Sequence, residues 1–355
     1  MSKHYLFFLG RDVNLSFAEI VSYIRARKAR YKVKLFKNKL AVIEIDKIDV
    51  KKAINDLGGT VKIAEEIKDI SNLYGGSSNK ITYTFWDNDD LGLDEMMKIH
   101  FKEEGLKAMR RKADQMNPSR DMHIDVEVTS FNKMIFKTVA VSNPKSYKAR
   151  DEKRPNWDAK TVVSLRLAKI LINLSEVSEN KLLIDPFCGL GTIMQEALLM
   201  NINAVGFEKD RLTCEKCMRN LDWLGKKYKG KWKIHNSDAR RLSNQVKNAD
   251  GAATEPYMGP YFKRVPNRYL AERIVRELET LYADVLRELR KAVKGKVAII
   301  MPRFKTDVNK RLELDIRGIL AYSGFKIDDS IPEIQYPLPY YHVASNIERF
   351  IYVLR

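Results

Sequence analysis

The stretch Ile184-Asp185-Pro186-Phe187-Cys188-Gly189-Leu190-Gly191-Thr192 limits the fold more than any other part of the chain. Leu182 to Ile184 read as an apolar strand and Ile193 to Met200 as a helix. Strand therefore passes to helix through a turn that carries two glycines, with a carboxylate at the strand's end. Gly189 and Gly191 let a ligand approach the backbone where a Cβ would collide, and the helix start offers free N–H groups. Tight strand-to-helix turns also occur without a ligand, so this one gains meaning only from what surrounds it.

Three further signals follow at suitable separations. Ala204 to Glu208 is a second strand ending in an acid, about 20 residues on, where a carboxylate is placed to accept from a ribose diol. Trp232 to Asp238 is a third strand closed by Asp238. Asp250 to Tyr257 is a fourth, running into Thr254-Glu255-Pro256-Tyr257. Each acid alone reads equally as a helix cap or a surface charge. Acids at successive strand ends imply one cleft, because open α/β sheets bind ligands outside the carboxyl ends of their strands.

The chain has 355 residues, room for two or three domains, and 45% hydrophobic residues, ample for packed cores. The start runs directly into an apolar strand, Tyr5 to Leu9, and no apolar run approaches a membrane span, so a soluble cytoplasmic protein is expected. Three cysteines exclude a disulfide framework. Cys214 and Cys217 form a lone C-x-x-C in an amphipathic helix without a second pair, and the five histidines are scattered, so no metal site is expected. The net charge of +18 suits a polyanionic partner once a suitable fold accompanies it.

Residues 1–70 read as a ferredoxin-like domain: strands at Tyr5–Gly10, Tyr31–Lys37, Lys39–Ile45 and Val61–Glu66, with helices capped by Asn14 or Ser16 and by Asp49. Gly75-Gly76-Ser77-Ser78 marks a break. Residues 71–142 then show a strand at Lys80–Trp86, a helix over Asp94–Arg111, and a hairpin of Met122–Phe131 with Lys133–Val141. Lys102, Lys107, Arg110, Arg111 and Lys112 form either a solvated face or a phosphate-facing one, and Met96, Met97 and Met109 are expected in the core. Residues 143–160 are a polar linker, rich in Tyr, Trp and Pro around 147–158, expected to fold over a site.

Residues 161–355 alternate strand and helix: a helix at Ser164–Leu174, a long one at Asn267–Ala292, a fifth strand at Lys296–Met301 and a helix at Thr306–Ser323. Strands at Phe325–Ile334 and Phe350–Arg355 lack a helix between them and should pair as an antiparallel edge hairpin. The loop joining them, Tyr336 to His342, can stack on bases or merely stiffen the edge. A doubly wound parallel sheet closed by such a hairpin is a methyltransferase layout.

The run from Asp185 to Gly191, with Glu208, Asp238 and the Glu-Pro-Tyr turn, resembles the Rossmann-like, AdoMet-dependent amino-methyltransferases. Arg150-Asp151-x-x-Arg154-Pro155-x-x-Asp158, the helix after it and the basic N-terminal part resemble the THUMP-containing tRNA guanosine-10 N2-methyltransferase family. The resemblance implies an α/β fold: a seven-stranded Rossmann-like domain behind an α+β, THUMP-like RNA-binding region. It implies S-adenosyl-L-methionine as cofactor and tRNA as partner; no obligatory protein partner is evident in the sequence, and no membrane is expected. Asp185, Phe187, Gly189, Gly191 and Thr192 would then cradle the methionine moiety, Glu208 the ribose and Asp238 the adenine amine. Thr254, Glu255, Pro256 and Tyr257 would take the catalytic position, and Lys102, Lys107, Arg110, Arg111, Lys112, Arg150 and Arg154 would meet RNA.

One departure matters. The family has Asp or Asn, then two prolines and an aromatic, where this chain has Thr254-Glu255-Pro256-Tyr257. A hydroxyl is a weaker acceptor than a carboxylate. Three outcomes follow: amine methylation through Glu255, methylation of another ring atom, or RNA binding without catalysis. A DNA amino-methyltransferase shares the turn and is a further alternative.

Overall fold

The chain divides into two units, Met1–Phe17 with Lys28–Ser146, and Ala18–Arg27 with Tyr147–Arg355. The computed structural model describes residues 2–71, 73–116, 124–157, 163–260, 262, 264–308, 310–340 and 345–355, with the backbone alone at 148 and 226. Asp158, Tyr341 and His342, singled out in the sequence, lie outside the described residues, as does Met122.

The chain begins with β1 (Lys3–Leu9), α1 (Val13–Ala26), which the division splits after Phe17, β2 (Tyr31–Lys37), β3 (Leu40–Ile45), α2 (Val50–Asp56) and β4 (Thr60–Ile67). It continues with β5 (Lys80–Asp87), α3 (Leu93–Glu103), β6 (Lys107–Arg110), β7 (Val126–Phe131) and β8 (Met134–Val141). Asp49 caps α2 as expected, accepting from the Lys52 N–H. α1 begins at Val13, which puts Ser16 inside its first turn, where its hydroxyl donates to the Asp12 carbonyl. The strands form one sheet of order β2-β3-β1-β4-β8-β7-β5-β6, with β4 antiparallel to β8. Leu93, Met97 and Phe101 of α3 bury against Tyr83, Val126 and Val128.

The helix expected over Asp94–Arg111 is shorter. Gly105, at φ +66°, follows its end, and Lys107–Arg110 leave it to pair in parallel with Lys80–Tyr83. Met109 is consequently exposed rather than in the core.

After α4 (Pro144–Lys153), which the division splits after Ser146, the second unit continues with α5 (Leu165–Leu174), β9 (Leu182–Asp185), α6 (Thr192–Leu199), β10 (Asn203–Glu208), α7 (Arg211–Leu224), β11 (Trp232–Asn236) and β12 (Gly251–Thr254). It ends with α8 (Arg268–Ala292), β13 (Val297–Lys305), β14 (Arg311–Glu313), α9 (Ile316–Ser323), β15 (Leu338–Pro339) and β16 (Ile347–Leu354). The sheet order is β11-β10-β9-β12-β13-β16-β15, with β14 added beside β13. β9 to β13 run parallel, and β16 lies antiparallel to β13. This is a Rossmann-like sheet of the expected class. Alternation divides its faces: Ile184, Phe207, Ala252 and Ile299 pack with Leu278, Tyr282 and Leu286 of α8, whereas α5 packs against β12 and β13. Cys214 and Cys217 are buried on α7, as a core-facing reading requires.

Two sequence expectations change here. The helix begins at Ile316, capped by Asp315, because Arg311–Glu313 pair with β13 instead of coiling. The edge partner of β16 is β15, and Phe325–Ile334 contribute only a bridge from Ile327 to Leu354. Pro332, two residues short of Ile334, has no N–H to give a ladder.

Candidate active site

The parallel register lines up the strand ends. Gly206 pairs with Asp185, and Glu208 with Asn236, so the acids of β9 and β10 sit at the same edge. Beyond that edge lies a cleft of about 820 Å3 lined by Phe187, Gly189, Glu208, Asp238, Glu255, Pro256, Tyr257 and Arg349, among others. A recess of about 50 Å3 shares Phe187, Gly189 and Glu255 with it and adds Asp185 and Thr192. The sequence-predicted acids thus converge.

Asp185 is buried, and its Oδ1 accepts from the Thr254 hydroxyl (2.8 Å) and the Phe187 N–H (3.2 Å). Burial pushes its carboxyl up to about 7, only partly opposed by those two donors. The turn after it depends on its glycines. Gly189 and Gly191 have φ of +50° and +84°, and a Cβ on Gly191 would stand 2.5 Å from Cys217 Sγ. On Gly189 a Cβ would meet nothing within 4 Å, which leaves open space beside that backbone. Asn220 of α7 fastens the turn by donating to the Leu190 carbonyl (2.9 Å) and to the Asn156 carbonyl (3.0 Å).

Glu208 accepts the Asp210 N–H on Oε1 at 2.9 Å. Asp238 lies two residues beyond β11, where it caps a short 3-10 helix, Ala239–Asn244. The Arg240 guanidinium, 2.7 Å away, holds its carboxyl below the usual range.

The fourth strand end differs from its sequence reading at Thr254. This residue is fully buried and its hydroxyl donates to Asp185, so it orients that carboxylate and lines neither cavity. Glu255, by contrast, lines both. Burial raises its carboxyl, opposed by Arg349. Tyr257 is 56% exposed while its carbonyl accepts from the buried Tyr282 hydroxyl at 2.7 Å, an arrangement that fixes the backbone and leaves the ring in the cleft wall.

Of the cations expected to meet RNA, Lys102 on α3, Lys107 and Arg110 on the terminal strand β6, and Arg111 and Lys112 just after it are exposed on the first unit. Arg110 stacks 4.1 Å from the Phe85 ring. Arg150 and Arg154 do something else. Arg154 is buried and donates to Thr192 Oγ1 (2.9 Å), and Arg150 donates to both oxygens of Glu196 (3.1 and 3.0 Å). The expected linker is largely helix α4, and these two arginines bind side chains of α6, Arg154 at its first residue and Arg150 one turn further on. Among the described residues, no cluster of histidine, cysteine and acid side chains could hold a metal.

Sequence reasoning missed Arg349, Tyr282, Asn220 and Arg240. Arg240 was legible as the basic residue two positions after Asp238. Arg349 lies far along the chain from Glu255, and only the antiparallel return of β16 beside β13 brings them together.

The family described as an RMKL-like methyltransferase domain matches residues 154–317, and a family described as DNA methylase matches residues 8–219, more than half of the chain. The tRNA (guanine(10)-N2)-dimethyltransferase of Methanothermobacter thermautotrophicus is 36% identical over 111 residues, 31% of this chain and 32% of that protein. The enzyme of the same name from Pyrococcus abyssi is 21% identical over 212 residues, 59% of this chain and 55% of that one. The chain thus matches less than two thirds of either relative's length. The crystal structure of TrmN from Thermus thermophilus aligns with a TM-score of 0.48 at 14% identity, covering 99% of both chains.

Proposed function

We propose that the chain, which belongs to the family described as DNA methylase and over residues 154–317 also matches an RMKL-like methyltransferase domain, is an AdoMet-dependent tRNA methyltransferase acting on the exocyclic N2 amine of a guanosine. Position 10 is assigned by resemblance to the relatives named above. The observation that carries this reading is the 820 Å3 cleft, lined at once by the glycine turn, Glu208, Asp238 and the Glu255-Pro256-Tyr257 corner.

The residues fit S-adenosyl-L-methionine. Gly189 leaves open space beside its backbone, and Asp185 is a buried carboxylate suited to an ammonium. Glu208 has an oxygen beyond the one bonded to Asp210, suited to a diol. Asp238 is held by Arg240 where an amine can reach it. When bound, the cofactor supplies a methyl group on a cationic sulfur.

The chain's own residues then have to make a poor nucleophile react. The guanine N2 lone pair is delocalised into the ring. Glu255 accepts an amine hydrogen and favours sp3 character at that nitrogen. Tyr257 offers an exposed ring on which an extruded base stacks, held in place through its carbonyl by Tyr282. Holding the amine in line with the methyl group supplies most of the acceleration. Thr254, whose departure from the family pattern favours binding without catalysis, supports Asp185 instead and leaves the acceptor role to Glu255.

The net charge of +18 and the exposed Lys102, Lys107, Arg110, Arg111 and Lys112 support a phosphate-bearing partner. Among the described residues no helix is long and apolar enough to cross a membrane. Three free thiols accord with a cytoplasmic site of action.

A DNA substrate is the second reading, favoured by the DNA methylase description of the match over residues 8–219. Tritiated AdoMet offered with transcribed tRNA and with duplex DNA separates the two. Label should enter tRNA. Label in DNA alone, or in neither, would overturn the proposal.

A further inference from the structure

Among the described residues, Arg349 is the cation of the cleft wall that touches the proposed acceptor. Its Nε lies 3.1 Å from Glu255 Oε1, within ion-pair distance, yet both atoms are buried without a hydrogen-bond partner. The pair is in contact but misaligned, so Glu255 Oε1 keeps its lone pairs for another donor. The backbone fixes where Arg349 stands. It pairs with Pro302 of β13, and its carbonyl accepts the Tyr340 N–H at 2.8 Å on the other side. Its neighbour Glu348 is bound by Arg303 (2.6 Å) and Arg311 (3.1 Å) and does not compete for it.

We infer that Arg349 is a positioning residue for methyl transfer: it holds Glu255 ionised and aimed into the cleft, ready to accept a hydrogen from the substrate amine. This deepens the methyltransferase reading and rests on it. The charge environment requires such a residue. Glu255 faces the buried Asp185 carboxylate on β9 and the buried Tyr282 phenol on α8, and neither supplies positive charge. Arg349 is the group that opposes the burial of Glu255. Without it, Glu255 takes up a proton, and a neutral acid presents one oxygen as a donor where an acceptor is needed.

The test follows the protonation of Glu255 by NMR on protein labelled with carbon-13 at the glutamate carboxyls, with the signal identified in Glu255→Gln. In Arg349→Met the Glu255 midpoint should rise by at least about one pH unit over wild type, and in Arg349→Lys it should stay near the wild-type value. An unmoved midpoint in folded Arg349→Met overturns the inference and needs no turnover to say so. A parallel pH profile of kcat with tRNA separates this from the functional reading. The acid limb of Arg349→Met should shift upward with the NMR midpoint, AdoMet affinity staying within about twofold, and Lys should restore it. A fall in kcat with an unshifted limb would mean a merely structural role and would also overturn the inference. A shifted midpoint in a protein that methylates nothing would leave Arg349's hold on Glu255 standing and refute the methyltransferase reading alone.

Discussion

Asp185→Asn should make the protein more stable at pH 8 while abolishing cofactor binding. Burial raises the Asp185 carboxyl from 3.8 to about 7 in the folded chain, whereas the unfolded chain titrates near ~3.9. Between those two values the folded state holds a proton that the unfolded state has released. Stability therefore falls as pH rises through this window, and the full cost is present above about 7. At about 1.4 kcal/mol for each tenfold change in proton affinity, that cost is roughly 4 kcal/mol. Asparagine keeps an oxygen to accept from Thr254 and Phe187 but carries no charge to bury. The variant should gain up to roughly 4 kcal/mol at pH 8, almost nothing near pH 4, and lose the wild type's slope between them. Urea denaturation across that range, followed by tryptophan fluorescence, to which Trp157, Trp223 and Trp232 of this unit contribute, measures the difference. Calorimetry at pH 8 should show no AdoMet binding, because the ammonium has lost its counter-charge. For the wild type, AdoMet affinity should weaken as pH drops below about 7, where Asp185 takes its proton. A variant that is destabilised at pH 8, or that keeps the wild-type slope, would refute the reasoning; unchanged AdoMet affinity would remove Asp185 from the binding site.

Tyr257→Ala should lower kcat on tRNA at least tenfold while leaving AdoMet affinity within about twofold, because the ring serves the base and its carbonyl remains to accept from Tyr282; steady-state kinetics and calorimetry read the two effects. Gly191→Ala should cost about 1–3 kcal/mol of stability in thermal melts and weaken AdoMet binding, since its φ of +84° is strained for alanine and the added Cβ meets Cys217. The affinity for tRNA should fall steeply and linearly with salt on logarithmic axes, and replacing Lys107 and Lys112 by alanine should flatten the slope by about 1–2; a flat dependence in the wild type would argue against phosphate contacts.

The second unit was readable because its signals are local. Each parallel strand is a short apolar run ending in an acid or a turn, and the parallel register aligns those ends, so that Glu208 and Glu255 line the cleft and Asp185 the recess beside it. Pairing decisions were less readable. Lys107–Arg110 carry a helix-compatible pattern that loses to the edge of β5 once Gly105 turns the chain. Arg311–Glu313 join β13 for a similar reason. The roles of Thr254, Arg150 and Arg154 were hidden because a side chain's partner depends on tertiary placement. The Thr254 hydroxyl turns inward to Asp185, and both arginines turn to α6. Arg349 carried no local mark at all, since only strand order brings it to Glu255.

Mass spectrometry of nucleosides from transcribed tRNA, with the modified position mapped after reaction with purified protein and AdoMet, reaches the central claim most directly. N2-methylated guanosine at position 10, formed by the wild type and absent with Glu255→Gln, is the predicted result. A methyl group on a ring atom, or wild-type levels of product from Glu255→Gln, would contradict a cleft in which Glu255 accepts from the amine that Tyr257 helps to hold.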